Sequence, residues 1–115
     1  MKALILAGGR GSRLNEFTKD TNKSMILLFE KPLIAYNLEH AALARVHEII
    51  IVVGYKKEEI ITYVGKEFRG IPVTYVEQKE QRGIVHAIEC ARDALGESDF
   101  FLMLGDEILI EPHIK

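Results

Sequence analysis

Three observations predict an α/β fold, layered αβα around a mainly parallel sheet. Short apolar runs rich in β-branched residues occur at 3–7, 48–53, 72–76 and 99–104, and those at 3–7, 48–53 and 99–104 are continuous, as in strands buried on both faces. Segments with helical spacing separate the later runs. Strands that alternate with helices pair in parallel through right-handed crossovers.

The elements follow in order. The first strand, 3–7, delivers the chain into Gly8, Gly9 and Gly11. The stretch from Gly8 to about Met25 has no strong periodicity, and a loop of that length in a compact domain is more often functional than idle. Pro32 suits a first helical turn, with Leu33, Ile34, Asn37, Leu38, Ala41 and Ala42 following at helical spacing. After the strand at 48–53, residues 56–68 carry Ile60, Ile61 and Val64 on one helical face. After the strand at 72–76, residues 83–95 carry Ile84, Ala87, Ile88, Ala91 and Leu95, and Gly96 provides a C-terminal stop. Strand 99–104 closes the pattern, with Gly105 and Asp106 next in line.

Composition bounds the function. A length of 115 residues suits one domain with a real core, and 48% hydrophobic with 28% charged residues is ordinary for a globular protein. Fifteen basic against seventeen acidic residues, net −2, argue against a general nucleic-acid or membrane-surface binder. Any cationic site is therefore local. Cys90 is the single cysteine, so no internal disulfide forms, and the run 3–7 is too short for a signal-peptide core or a membrane span. A cytoplasmic location is the default expectation.

The glycine loop carries the strongest chemical signal. Glycine takes positive φ cheaply and lets backbone come close to a ligand. Successive N–H groups in such a loop make a concave anion site, to which Arg13 and Lys23 add full charges. A tight turn with solvated charges is the plainer alternative, and three glycines directly after a buried strand favour phosphate. No GxxxxGK[ST] string occurs, so a P-loop is excluded. The segment Gly9 to Leu14 begins like a dinucleotide fingerprint, but Leu14 stands where helix–strand packing needs a small residue. Glu30, ahead of Lys31-Pro32, does not end a second strand, and the dinucleotide reading is weak. Ligands in open α/β sheets sit beyond the carboxyl ends of the strands, and the glycine loop, the segment Gln78 to Gly83 and Asp106 all follow strand ends.

At this point the residues resemble a family. Leu6-Ala7-Gly8-Gly9-Arg10-Gly11-Ser12-Arg13-Leu14, then Thr18, Asn22-Lys23-Ser24-Met25 and Lys31-Pro32-Leu33-Ile34-Ala35-Tyr36, are similar to the signature of sugar-nucleotide pyrophosphorylases. These sugar-1-phosphate nucleotidylyltransferases include the glucose-1-phosphate thymidylyltransferases and uridylyltransferases. They join a nucleoside triphosphate to a sugar 1-phosphate and release pyrophosphate. Gln78 to Ile88 is similar to their Q-x4-G-T-A-x-A-[IL] base segment, and Leu104-Gly105-Asp106 to their L-G-D metal motif. There are departures: Asn22 precedes the lysine where Pro or Ser is frequent, Ile84-Val85 replace Thr-Ala, and Glu107 replaces Asn.

The resemblance implies a Rossmann-like αβα fold with strand order 3-2-1-4, a truncated nucleotide-diphospho-sugar transferase fold. It implies that Leu6, Gly8, Gly9, Gly11 and Ser12 hold the nucleotide, largely through backbone N–H groups, and that Arg13 grips the leaving pyrophosphate while Lys23 bridges the phosphates. Gln78 and Gly83 would meet the base, and Asp106 would coordinate Mg²⁺. The partners implied are a nucleoside triphosphate and a sugar 1-phosphate, with no nucleic acid and no membrane. The plainer alternatives are a polar strand-end residue for Gln78, a helix start for Gly83 and a turn or N-cap aspartate for Asp106. His40, His47, His86 and His113 lack metal-ligand spacing and are expected at the surface or an interface, and Cys90 in the core.

Family members are much longer than 115 residues, and their second half supplies most of the sugar site and a second metal-binding aspartate. The expectation is therefore one nucleotide-binding domain over 1–115, the N-terminal part of a longer nucleotidyltransferase domain. Strand 99–104 would be an apolar edge covered by a homo-oligomer or by a missing C-terminal half. A non-catalytic nucleotide- or sugar-phosphate-binding module of the same fold is the alternative.

Overall fold

The computed structural model describes residues 1–7, 25, 27–28, 31–54, 56–80 and 82–105. Its elements run β1 (Lys2–Ala7), β2 (Leu27–Leu28), β3 (Lys31–Pro32), α1 (Leu33–Leu43), β4 (Glu48–Val53), α2 (Lys57–Val64), β5 (Glu67–Phe68), β6 (Ile71–Glu77), α3 (Gly83–Cys90), α4 (Arg92–Leu95) and β7 (Phe100–Leu104). The main sheet has the order β5-β6-β4-β1-β7, and β2 pairs with β3 separately. The four longer strands are mutually parallel, while β5 is antiparallel to β6. Their order is third, second, first, fourth, as the resemblance implies.

Side-chain alternation divides the core in two. Ala3, Ile5, Ala7, Ile49, Ile51, Val53 and Met103 pack with Ile34, Leu38 and Ala41 of α1 and with Ile60 and Val64 of α2. Leu4, Ile50 and Val52 face the other way, against Ala87 and Ala91 and Leu95 at the end of α4. Runs apolar at every position are what such two-sided burial requires, and they give the three-layer αβα arrangement.

Three local differences from the sequence expectations have clear causes. The helix over 56–68 ends at Val64, because Gly65 takes φ +80°. The chain then forms β5 and turns back into β6 through Arg69 and Gly70, both at positive φ, the geometry of a tight hairpin. The helix over 83–95 breaks at Ala91, whose N–H is shared between the carbonyls of Ala87 and Ile88, a tightening that divides it into α3 and α4. Pro32 is extended (ψ 147°), caps α1 from outside and pairs with Leu27 in the β2–β3 hairpin.

Among the described residues, β7 pairs only with β1. Phe100, Phe101 and Leu102 are 37%, 41% and 43% exposed, so this is the apolar edge the sequence predicts. No helix among the described residues is long and apolar enough to cross a membrane.

Candidate functional site

Parallel pairing brings the carboxyl ends of the four long strands to one rim. Ala7 lies beside Val53, Val53 beside Glu77, and Leu6 beside Leu104. The ladder continues one residue beyond on each side: the Gln78 N–H donates to the Val53 carbonyl (2.8 Å) and the Gly105 N–H to the Leu6 carbonyl (2.9 Å). Ala7, Gln78 and Gly105, the described residues where the three motif-bearing strands end, therefore lie along one edge of the sheet.

Gly8, Gly9, Gly11, Ser12, Arg13 and Lys23 lie outside the described residues, as does Asp106. Of the residues expected to bind, the structure describes Leu6, Gln78 and Gly83. Leu6 is half-buried on the α3 face, and its carbonyl is taken by Gly105, so Leu6 shapes the rim.

Gln78 is only 5% exposed, and a buried amide needs partners. Its Nε2 lies 3.3 Å from the Gly83 carbonyl oxygen and 3.0 Å from His86 Nδ1. A carbonyl only accepts, so the atom facing Gly83 is the donor nitrogen. Gly83 itself opens α3 at φ +92°, and a Cβ there would meet nothing within 4 Å. The glycine is required by backbone conformation, and the space beside it is open.

Sequence reasoning missed His86 and Asn37 as site residues. His86 lies one turn into the helix that Gly83 starts, on the side that faces Gln78; the offset of three from Gly83 was the available signal. Cys90, one turn further on, is half-buried and not in the core, its Sγ 3.9 Å from His86 Nε2. Asn37 is 1% exposed on α1, and its Nδ2 donates to the Leu104 carbonyl (2.8 Å), tying the helix to the end of β7. A polar residue at an apolar helical position was the signal there.

Glu77, Lys79, Glu80, His86 and Cys90 line an open cavity of about 280 Å³ next to Gln78. Lys57 bonds Glu77 at 3.2 Å, and among the described residues no group of three or more His, Cys, Asp or Glu could hold a metal ion. The opposite rim carries the ion pair Lys2–Glu48 (3.1 Å), with the Thr74 hydroxyl donating to Glu48 (2.6 Å). Burial pushes the Glu48 carboxyl up, but the hydrogen bonds from Thr74 and Lys2 and the nearby positive charge outweigh it, and the group titrates below its ordinary value. That cluster sits at the strand starts, away from the motifs.

A family model described as nucleotidyl transferase matches residues 2–115. The chain belongs to this family. It is 42% identical over 108 residues to the UTP–glucose-1-phosphate uridylyltransferase AglF of Haloferax volcanii, covering 94% of this chain and 44% of that one. It is 40% identical over 111 residues to a glucose-1-phosphate thymidylyltransferase of Streptomyces griseus, covering 96% and 31%. A crystal structure of a UDP-glucose pyrophosphorylase complexed with UDP-glucose superimposes with a TM-score of 0.84 at 31% identity, covering 95% of this chain and 46% of that one. The chain thus spans less than half the length of these relatives.

Proposed function

We propose that this nucleotidyl transferase chain provides the nucleotide-binding part of a sugar-1-phosphate nucleotidylyltransferase. The reaction joins a nucleoside triphosphate to a sugar 1-phosphate, giving a nucleotide sugar and pyrophosphate. The observation that carries this reading is the convergence of three motif-bearing strand ends on one rim of a parallel sheet, where ligands of such sheets bind.

In this reading residues 1–115 form one nucleotide-binding unit. The backbone N–H groups of Gly8, Gly9, Gly11 and Ser12 hold the phosphates, the Arg13 fork takes the leaving pyrophosphate and Lys23 bridges as a point charge. Gln78 and Gly83 hold the base. Little covalent work falls to the protein, because positioning and charge stabilisation dominate such transfers. A sugar-phosphate oxygen attacks the α-phosphorus in line as pyrophosphate leaves. Mg²⁺ takes one or two carboxylates plus phosphate oxygens, and Asp106, two residues beyond β7, fits that donor set. When bound, the ion neutralises phosphate charge. A cytoplasmic setting accords with the single cysteine.

The outer edge of β7 is covered in this reading by a second copy or by further chain of the same enzyme. Sedimentation tests this covering, since association of the 115-residue chain supports it and a clean, soluble monomer at high concentration counts against it. The reaction is tested by pyrophosphate release from UTP or dTTP with glucose 1-phosphate, at first and with other sugar 1-phosphates next. Release that requires both substrates supports catalysis, whereas nucleotide binding without release supports a non-catalytic binding module.

A further inference from the structure

Asn37 is 1% exposed, on the face of α1 whose other members Ile34, Leu38 and Ala41 pack into the core. Burying an amide there costs free energy that an apolar side chain would not lose, unless the amide is bonded. Its Nδ2 donates to the Leu104 carbonyl at 2.8 Å. The N–H of that same peptide, on Gly105, donates to the Leu6 carbonyl at 2.9 Å. The C=O and N–H of a trans peptide point in opposite directions. The Leu104 carbonyl therefore faces away from β1, toward the side of β7 that has no strand partner among the described residues. One peptide plane is thus held from both sides, by β1 within the sheet and by α1 outside it. The next peptide joins Gly105 to Asp106, and Gly105 has no side chain with which to anchor itself.

We propose that Asn37 is a positioning residue for Asp106: by fixing the Leu104–Gly105 peptide it sets the direction in which the chain leaves β7, and so the place of the carboxylate that meets the divalent cation. This rests on the nucleotide-binding reading above, in which Asp106 fits Mg²⁺. Mg²⁺ demands near-ideal octahedral geometry, so a carboxylate on a loosened backbone loses the ion while the glycine loop keeps the phosphates.

The test measures UTP binding to the 115-residue chain by calorimetry, with Mg²⁺ and with EDTA. The wild-type chain should bind UTP at least about fivefold more tightly with Mg²⁺, the lower end of ordinary coupling between two ligands. Asn37→Leu should reduce that ratio to about twofold or less, with the affinity in EDTA within about twofold of wild type. A purely structural defect lowers both affinities together and leaves the ratio unchanged. A wild-type ratio in Asn37→Leu therefore overturns the positioning role and leaves the nucleotide reading standing. UTP binding that Mg²⁺ does not tighten in the wild-type chain overturns the role given to Asp106, and this proposal with it. Absence of UTP binding overturns the nucleotide reading itself. A measurement on the unmutated chain covers the case in which the variant does not fold. Because coupling is reciprocal, UTP with Mg²⁺ should slow solvent exchange of the Asn37 side-chain amide hydrogens, followed by NMR, more than UTP with EDTA does. Equal exchange in the two conditions contradicts the proposal.

Discussion

Replacing Gly83 by alanine isolates one physical cause. A Cβ at this position meets nothing within 4 Å, so steric collision contributes nothing. What remains is the backbone, held at φ +92°. An L-residue in left-handed conformation costs roughly 1–2 kcal/mol, while the stiffer unfolded chain of the alanine variant returns about 0.4–1 kcal/mol. The net loss should be about 1 kcal/mol. With a urea m-value of about 1–3 kcal/mol/M, the midpoint should fall by roughly 0.3–1 M. Gly96→Ala is the control: φ is +62°, a Cβ there also meets nothing within 4 Å, and the residue follows α4 ahead of β7, at the other end of the sheet. Gly96 combines its positive φ with ψ −135°, a conformation essentially confined to glycine, so Gly96→Ala should lose at least as much stability, but only Gly83→Ala should weaken UTP binding, by about tenfold or more if the base approaches this backbone. An unchanged urea midpoint for Gly83→Ala would refute the conformational argument, and a loss above about 4 kcal/mol would show a collision that the open space excludes.

Other outcomes follow from the same structure. Asn37→Leu should cost about 1–3 kcal/mol, because the half-buried Leu104 carbonyl loses this donor, and the Gly105 amide should exchange faster by hydrogen-exchange mass spectrometry. Ile50→Ala, fully buried between the sheet and the α3 face, should cost about 2–5 kcal/mol in a urea melt. Glu48→Gln should lose about 1 kcal/mol at neutral pH. Because Glu48 titrates below its ordinary value of 4.5 in the folded chain, its contribution is complete above that value and disappears as pH falls through the lower folded one. The stability gap between Glu48→Gln and wild type, followed by urea midpoints across that range, should therefore close in acid.

The parallel sheet and its order were legible because strands buried on both faces leave continuous apolar runs, and 48–53 gave its boundaries to the residue. The hairpin at β5 was not, because Phe68 continues the spacing of Ile60 and Val64 and so extends an apparent helical face past Gly65. Periodicity carries no information on φ, and the stop was set by one glycine with Arg69 and Gly70 behind it. Gln78 and Gly83 were legible as a motif and sit together at 3.3 Å. His86 was not, since a histidine becomes a site residue through the atom it faces, and the sequence supplies only an offset along the helix. Asn37 was counted among the apolar helical positions, and its burial follows that face while its amide serves the end of β7.

The central claim is that the carboxyl rim of this sheet holds a nucleoside triphosphate, with Arg13 and Lys23 on its phosphates. Calorimetry of the 115-residue chain against UTP, dTTP and NAD, with and without Mg²⁺, tests it directly. UTP or dTTP should bind with a dissociation constant below about 1 mM, more tightly with Mg²⁺, and Arg13→Ala should weaken that binding. Binding of NAD in preference to either triphosphate, or no triphosphate binding at millimolar concentration, would contradict the account.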